Sequence, residues 1–298
     1  MQWFRLFVIG MIILTHISAA YKGETPGNVY KKGSFPIIDV EKKPANSLRI
    51  ASFNIRCADV NGATVQDRKY IVMDEIYKID ADSMGLQEVT EEWAQILNKM
   101  PDYTLAGEGR DGAGRGEGSQ IIYNNKKYKC LDSGTFWLSE TPDKPSMGWD
   151  AACPRICTFV KLENRKTGEI YAHVNSHFDH VGQVAVANEA KMIDSFIKEK
   201  FSGIPVVFTA DMNSTTDSVA YGTMTENLVD TRLAADDVKS YDTFHDEHIS
   251  IEGFSMTIDY ILCAPETQVL TYRTVTAGID GLFVSDHFPI YSDLRFKK

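Results

Sequence analysis

Apolar positions along this chain follow two rhythms. Short runs rich in β-branched and aromatic residues predict strands at Leu48 to Ile55, Ser83 to Gln87, Ser119 to Tyr123, Tyr128 to Trp137, Arg155 to Leu162 and Ile170 to Phe178. Val206 to Ala210 follows, and Thr257 to Cys263, Gln268 to Thr276 and Phe288 to Phe296 close the series. Stretches in which apolar residues recur every third or fourth position predict helices. Asp67 to Ile79 places Val72, Met73, Ile76 and Ile79 on one face, and Gln183 to Lys200 aligns Val186, Ala190, Ile193 and Ile197. Thr90, followed by Glu91 and Glu92, opens another helix, because a hydroxyl caps the free N–H groups and acids complement the positive end. Residues 214 to 256 read as short helices and loops. Strand, helix, strand, then several strands before the alternation resumes describes mixed sheets with helices on their outer faces. No linker interrupts residues 48 to 298, which read as one domain.

The chain's beginning breaks this pattern. One Arg, an apolar run from Leu6 to Ile17 and Ser18-Ala19-Ala20 predict a secretory signal at 1 to 20, cleaved after Ala20, for a secreted or periplasmic protein. That run is too short to span a bilayer. Residues 21 to 47 are rich in Lys, Pro and Gly and read as a polar tether. The formal charge of −10 argues against indiscriminate binding to long nucleic acids, which depends on many Lys and Arg contacts to phosphate. The five Cys have no zinc-site spacing and read as packing residues, with one long-range disulfide as the alternative.

Candidate chemistry gathers where apolar runs stop. After Val206 to Ala210, the period of two puts Asp211 and Asn213 on one side and Met212 on the other. The same kind of residue ends other runs: Asn54 in SFNIR, Glu88 in GLQEV, His177 and Asp179 in NSHFDH, Asp259 in IDYIL, and Asp286-His287 in SDHFP. One such Asp or Asn is ordinarily a turn residue, but six coincidences of the right chemical type are hard to assign to turns. The Gly-rich loop 107 to 119 reads as flexible and adds Arg110 and Arg115, and Arg155 opens a strand.

With these motifs, the sequence resembles the endonuclease/exonuclease/phosphatase superfamily, from about Arg49 to Leu294, and GTFWLSETP, GWDAACPRI and NSHFDHVG resemble an exported bacterial branch of nocturnin-like type. Ala210 and Met212 replace the usual Gly and Phe around the Asp-x-Asn. The resemblance implies an α/β (α+β) fold, a four-layer α/β/β/α sandwich of two mixed β-sheets with a cleft lined by strand ends. It implies a Mg²⁺-dependent phosphoesterase, Mn²⁺ serving as well, acting on a phosphate ester, without a stable protein partner and as a monomer. Glu88, Asn54 and Asp286 are the expected metal residues, Mg²⁺ favouring hard oxygen donors. His287 is the expected general base and Asp259 its orienting carboxylate. Asp211 would orient the attacking water, Asn213 would bind a phosphoryl oxygen, and His177 would bind phosphate or assist the leaving oxygen. Asp179 is a candidate either to fix the His177 ring or to serve in a turn or salt bridge, Tyr123 is the one candidate for a catalytic tyrosine, and Arg155, Arg110 and Arg115 are expected substrate contacts. A phosphodiester in a nucleic acid or nucleotide is the leading substrate. The rivals are a sugar or inositol phosphatase, a sphingomyelinase-like hydrolase, and an inactive binding module.

Overall fold

The structure, a computed structural model, describes residues 36–60, 62–246, 255–279 and 283–297. The expected signal and the first part of the tether lie outside the described residues.

Two mixed sheets lie face to face. The first, of seven strands, contains β1 (Leu48–Asn54), β2 (Ser83–Val89), β3 (Tyr103–Ala106), β4 (Gly118–Asn124), β10 (Asp237–Lys239), β12 (Gln268–Thr274) and β13 (Ile290–Arg295). Its order is β10-β12-β13-β1-β2-β4-β3, with β1 parallel to β2 and antiparallel to β13. The second, of six strands, runs β5-β6-β7-β8-β11-β9 through β5 (Tyr128–Trp137), β6 (Ile156–Asn164), β7 (Ile170–His177), β8 (Val206–Asp211), β11 (Asp259–Cys263) and β9 (Val229–Asp230). β7 and β8 are parallel.

α1 (Val65–Ile79) and α2 (Glu91–Leu97) cover the first sheet, and α3 (Gln183–Lys200) and α4 (Val219–Thr225) the second; α5 (Thr231–Ala234) is a short turn. The apolar faces read from the sequence are the packed ones. Ile71, Val72, Ile76 and Ile79 of α1 join Phe53, Met84 and Leu86, while Val186, Ala190, Ile193 and Ile197 of α3 join Val174, Phe208 and Ala210. α1 starts two residues before the expected Asp67, because Thr64 caps it and Asp67 reaches back to the Thr64 N–H. The short edge strand β3 was not expected from the sequence.

A third cluster, between the sheets, is only partly apolar, and this is what positions the site. In β1, β7, β8 and β11 the residues facing the opposite sheet turn polar toward one end. His173 sits between Ser83 Oγ (2.8 Å) and Thr209 Oγ1 (2.8 Å), and Gln87 Nε2 donates to Ser52 Oγ and Asn175 Oδ1. The sheets approach so closely here that a Cβ on Gly85 would lie 2.0 Å from Thr209 Oγ1. One step further along the same faces come Asn54, His177, Asp211 and Asp259.

The stretch from 36 to 47 forms no regular element but is not loose. The Ile38 carbonyl accepts from the Thr276 and Ala277 N–H groups, its own N–H donates to Thr276 Oγ1, Glu41 pairs with Arg273 and Lys43 with Asp82. All five cysteines are free thiols, Cys157 and Cys263 being buried as packing residues. Tyr123 belongs to the apolar cluster between the sheets, which removes it as a catalytic candidate.

Candidate active site

Seven of the expected residues converge at one end of the sandwich: Asn54, Glu88, His177, Asp211, Asn213, Asp259 and His287. β1 delivers Asn54, whose amide donates to Glu88 Oε1 (2.9 Å) and Asp211 Oδ2 (3.0 Å), tying the two sheets together. Glu88 lies where the β2–β4 register shifts between Leu86 and Val89, and its φ of 61° is a left-handed conformation that side chains seldom adopt. That irregularity turns the carboxylate into the cleft, where the Cys57 N–H donates to Oε2 at 2.7 Å. Asn213 has a φ of 46° for the same kind of reason: leaving β8 sharply, it returns its amide to His177 Nε2 (2.9 Å) and the Phe178 carbonyl (2.9 Å).

Asp259 was expected where an apolar run stops, yet it begins its strand. β11 is antiparallel to β8, so Asp259 stands opposite Asp211 in register. Two carboxylates facing each other repel. His287 lies against both, with Nδ1 2.8 Å from Asp259 Oδ2 and Nε2 3.6 Å from Asp211 Oδ2. Asp259 Oδ1 is buried without a hydrogen-bond partner. Ser285 Oγ donates to the Asn54 carbonyl and accepts from the His287 N–H, and Phe244 packs on the His287 ring at 4.9 Å.

The electrostatics follow from this crowding. Burial works against a charged His287, but Asp259, Asp211 and Asp286 outweigh it and lift its pKa to about 10. Burial, with Asp259 opposite, lifts Asp211 to about 7. Burial, helped by the positive charge of Arg155, holds His177 neutral, which agrees with its Nε2 accepting from Asn213. Burial opposes ionisation of Glu88 and is outweighed, so that its pKa falls to about 2. Part of that fall would need charge on His177. With His177 neutral, the Cys57 N–H and Asn54 amide remain as the support for the carboxylate.

Three expectations change. Asp286 was expected among the metal residues, but Arg56 reaches its Oδ2 at 2.5 Å and holds it in an ion pair. Arg56 directly follows the SFNI strand, and that charge at a strand end was the overlooked signal. Asp179 does not fix His177; its oxygens take the Ala152, Val181 and Gly182 N–H groups. The Gly-rich loop is an ordered hairpin in which Arg110 N bonds Glu117 O and Asp111 N bonds Arg115 O.

Arg110 and Arg155 line a pocket beside His177 with Glu117, Ser119 and Pro154. Arg115 is exposed, with Nε near its own loop's Gly112 carbonyl, outside that lining. On the other side of Asn213 lies a depression of about 350 Å³ lined by Gln183, Ser214, Thr215, Asp217, Ser218, Met256 and Ile258. None of these lining residues is basic.

The donors at Glu88, Asn54 and Asp211 are all oxygens or amides, a hard set that suits a divalent cation, and Asp211, Asp259 and His287 form a buried cluster able to hold a metal.

Comparison with known proteins agrees with this architecture. The sequence profile of the endonuclease/exonuclease/phosphatase family matches residues 51–287. A crystal structure of an endonuclease/exonuclease/phosphatase from Bacteroides vulgatus is similar at 39% identity, covering 84% of this chain and 99% of that one, with a TM-score of 0.78. A mannosyl-6-phosphatase from Bacteroides thetaiotaomicron is 31% identical, with 84% and 100% coverage and a TM-score of 0.77. The human nocturnin catalytic domain, at 17% identity, 86% and 97% coverage and a TM-score of 0.69, shares the fold. An uncharacterized protein of Acanthamoeba polyphaga mimivirus is 25% identical over 178 residues, which span 55% of this chain and 65% of that protein's length.

Proposed function

Since the chain belongs to the endonuclease/exonuclease/phosphatase family, we propose that it is an exported divalent-metal-dependent phosphoesterase whose substrate is a small phosphate monoester of the sugar-phosphate class. The observation that carries the catalytic part is the His287–Asp259 pair facing Asp211 across 3.6 Å. Asp259 accepts the Nδ1 proton of His287 and so fixes the tautomer that turns Nε2 toward the cleft. A water that approaches from the cleft and touches both Nε2 and Asp211 would be oriented by the carboxylate and give its proton to the imidazole. In the protein alone His287 keeps a proton because three carboxylates surround it; it becomes a base once part of that negative charge is answered.

Glu88 and Asp211, with Asn54 beside them, would hold a Mg²⁺ or Mn²⁺ ion, which when bound supplies that positive charge and polarises a phosphoryl oxygen. Asn213 stands ready to hydrogen-bond the phosphoryl group, since its amide rests on His177 Nε2 and can exchange that contact for the substrate, whereas His177 would join it only as a protonated ring that donates from Nε2.

The substrate class rests on the flanks of the site. Arg110, paired with Glu117, and Arg155 bring two guanidinium groups beside His177 that could turn to a single phosphate, in a protein whose formal charge of −10 offers little to a polyanionic strand. The depression beyond Asn213 presents hydroxyls and amides and suits a polyol. Similarity to a mannosyl-6-phosphatase supports the same reading. The phosphodiester that the motifs first suggested becomes the rival outcome. Phosphate release from mannose 6-phosphate, other hexose phosphates and nucleoside monophosphates, beside cleavage of bis-p-nitrophenyl phosphate and oligonucleotides, separates the two. We expect monoester turnover that EDTA abolishes and Mg²⁺ or Mn²⁺ restores. Preferred cleavage of oligonucleotides would overturn the substrate class, and activity indifferent to chelator would overturn the metal.

A further inference from the structure

Arg155 precedes β6 and is 5% exposed, so its guanidinium is held by the protein rather than by water. Two neighbours from the turn after β7 hold it. His180 accepts from Nη2 through Nδ1 at 3.1 Å, and Asp179 Oδ2 lies 3.6 Å from Nε. Asp179 is fully buried and is fastened in turn. Its Oδ1 takes the Val181 and Gly182 N–H groups at 2.9 and 2.7 Å, its Oδ2 takes that of Ala152 at 3.0 Å, and its own N–H donates to Glu189 Oε2 at 2.9 Å. Glu189, on α3, is also fully buried. Asp150 continues the stitching, its Oδ1 accepting from Ala185 N at 2.7 Å, and Gly182 passes so close that a Cβ would lie 2.6 Å from the Asp150 carbonyl. The segment carrying Arg155 is thus locked to the turn that follows His177.

Cys153, Asp179 and His180 bring potential ligand atoms within 4.8 Å of one another, so a cation is the competing explanation of the cluster. It fails on charge. Arg155 already occupies His180 Nδ1, and Arg110 Nη1 lies 3.4 Å from Cys153 Sγ, placing two guanidinium groups where a cation would have to sit.

We propose that Asp179 and His180 are positioning residues that clamp the Arg155 guanidinium at the mouth of the pocket beside His177, and so set the affinity for the phosphate group of the substrate. This rests on the phosphate reading of that pocket. A planar guanidinium recognises phosphate by direction as well as by charge, so its orientation governs affinity. Asp179→Asn keeps an oxygen for the Val181 and Gly182 N–H groups but removes the negative charge beside Arg155 and sets an amide against it.

The test is inorganic phosphate binding by calorimetry in the presence of Mg²⁺, which needs no turnover. It compares wild type, Arg155→Ala, Asp179→Asn, the double variant and His180→Ala, with circular dichroism confirming each fold. Asp179→Asn should weaken phosphate about 10-fold and His180→Ala a few-fold, and neither change should add to Arg155→Ala. His180 is exposed, so its replacement reports even if Asp179→Asn fails to fold. Equal losses with and without Arg155, unchanged affinity in the folded variants, or no phosphate binding by the wild type would each overturn the proposal. Hexose phosphate turnover by the same wild-type sample judges the proposed activity separately, and there the clamp variants should raise KM more than they lower kcat.

Discussion

The two ends of β1 hold buried charge in opposite ways. Near its start, Arg49 is 1% exposed and each nitrogen of its guanidinium is answered: Nε and Nη2 meet Asp293 Oδ1 and Oδ2 at 2.8 and 2.9 Å, Nη1 donates to the Ile79 carbonyl, and Nη2 also reaches the Glu41 carbonyl. Thr271 adds a hydroxyl to Asp293, and Tyr291 lies under the guanidinium at 4.2 Å. At the other end, Asn54 enters a group in which Asp211 faces Asp259, one Asp259 oxygen has no partner, and His287 is the cation between them. The first arrangement is complete and can only be weakened. The second lacks positive charge, and its proton sits where chemistry is proposed. Buried charge by itself therefore does not mark a site; incomplete pairing does.

The comparison breaks if the site end behaves like a structural ion pair. His287→Ala should lower kcat/KM by about 10² to 10⁴ while leaving the fold intact, as general-base assistance typically contributes. Asp259→Asn should approach the same loss, because the amide no longer enforces the tautomer, and the double variant should be little worse than His287→Ala. Losses that multiply would mean the pair does not act as a unit.

The opposite end should respond in stability and not in turnover. Arg49→Leu leaves Asp293 buried without its partner, which costs about 3 to 5 kcal/mol, whereas Arg49→Leu with Asp293→Leu should recover most of that. Urea unfolding measures both, and kcat of the folded fraction should be unchanged in each. A drop in kcat without loss of stability would erase the distinction.

His173 lies between the ends and sharpens the comparison through pH. Burial alone lowers its pKa to about 3, and its two hydroxyl partners are satisfied by the neutral ring. The unfolded chain takes up a proton near its ordinary value of about 6.5 and the folded chain does not. Stability from this residue is therefore fully present above that value and is lost as pH falls toward 3. Between pH 7 and 5 the loss is about 2 kcal/mol, and His173→Gln should remove that much of the pH dependence of unfolding. An identical slope in the variant would show that His173 does not carry it.

Much of this was legible in the sequence, for a definite reason. Strands buried on both faces show as continuous apolar runs, so polar residues at their ends stand out, and α3 is found at Gln183–Lys200 as its apolar spacing required. Asn54, Glu88, His177 and Asp211 were readable as strand-end chemistry, whereas His287 precedes its strand, β13. Asp259 was found for a partly wrong reason, since a run's beginning and its end look alike without the direction of pairing. What stayed hidden depends on long-range pairing. The partnership of Arg56 with Asp286 spans sheets and loops, and Arg49 reads as an ordinary strand-flanking charge although it is among the most buried residues. The edge strand β3 is four residues long and half-buried, too short for a periodicity to declare itself.

The left-handed backbone at Arg56, Glu88 and Asn213, with φ of 59°, 61° and 46°, places unfavourable conformations at the residues that line the cleft. Each non-glycine residue held there costs roughly 1 to 2 kcal/mol against a relaxed backbone. Selection for thermal resistance alone would favour glycine at these positions and would discard the Arg56–Asp286 ion pair and the Glu88 and Asn213 side chains proposed to act at the site. A search for sturdier variants therefore has to exempt these positions and take its gains from the helices and the distal sheet edges, since at the cleft endurance and turnover draw on the same torsion angles.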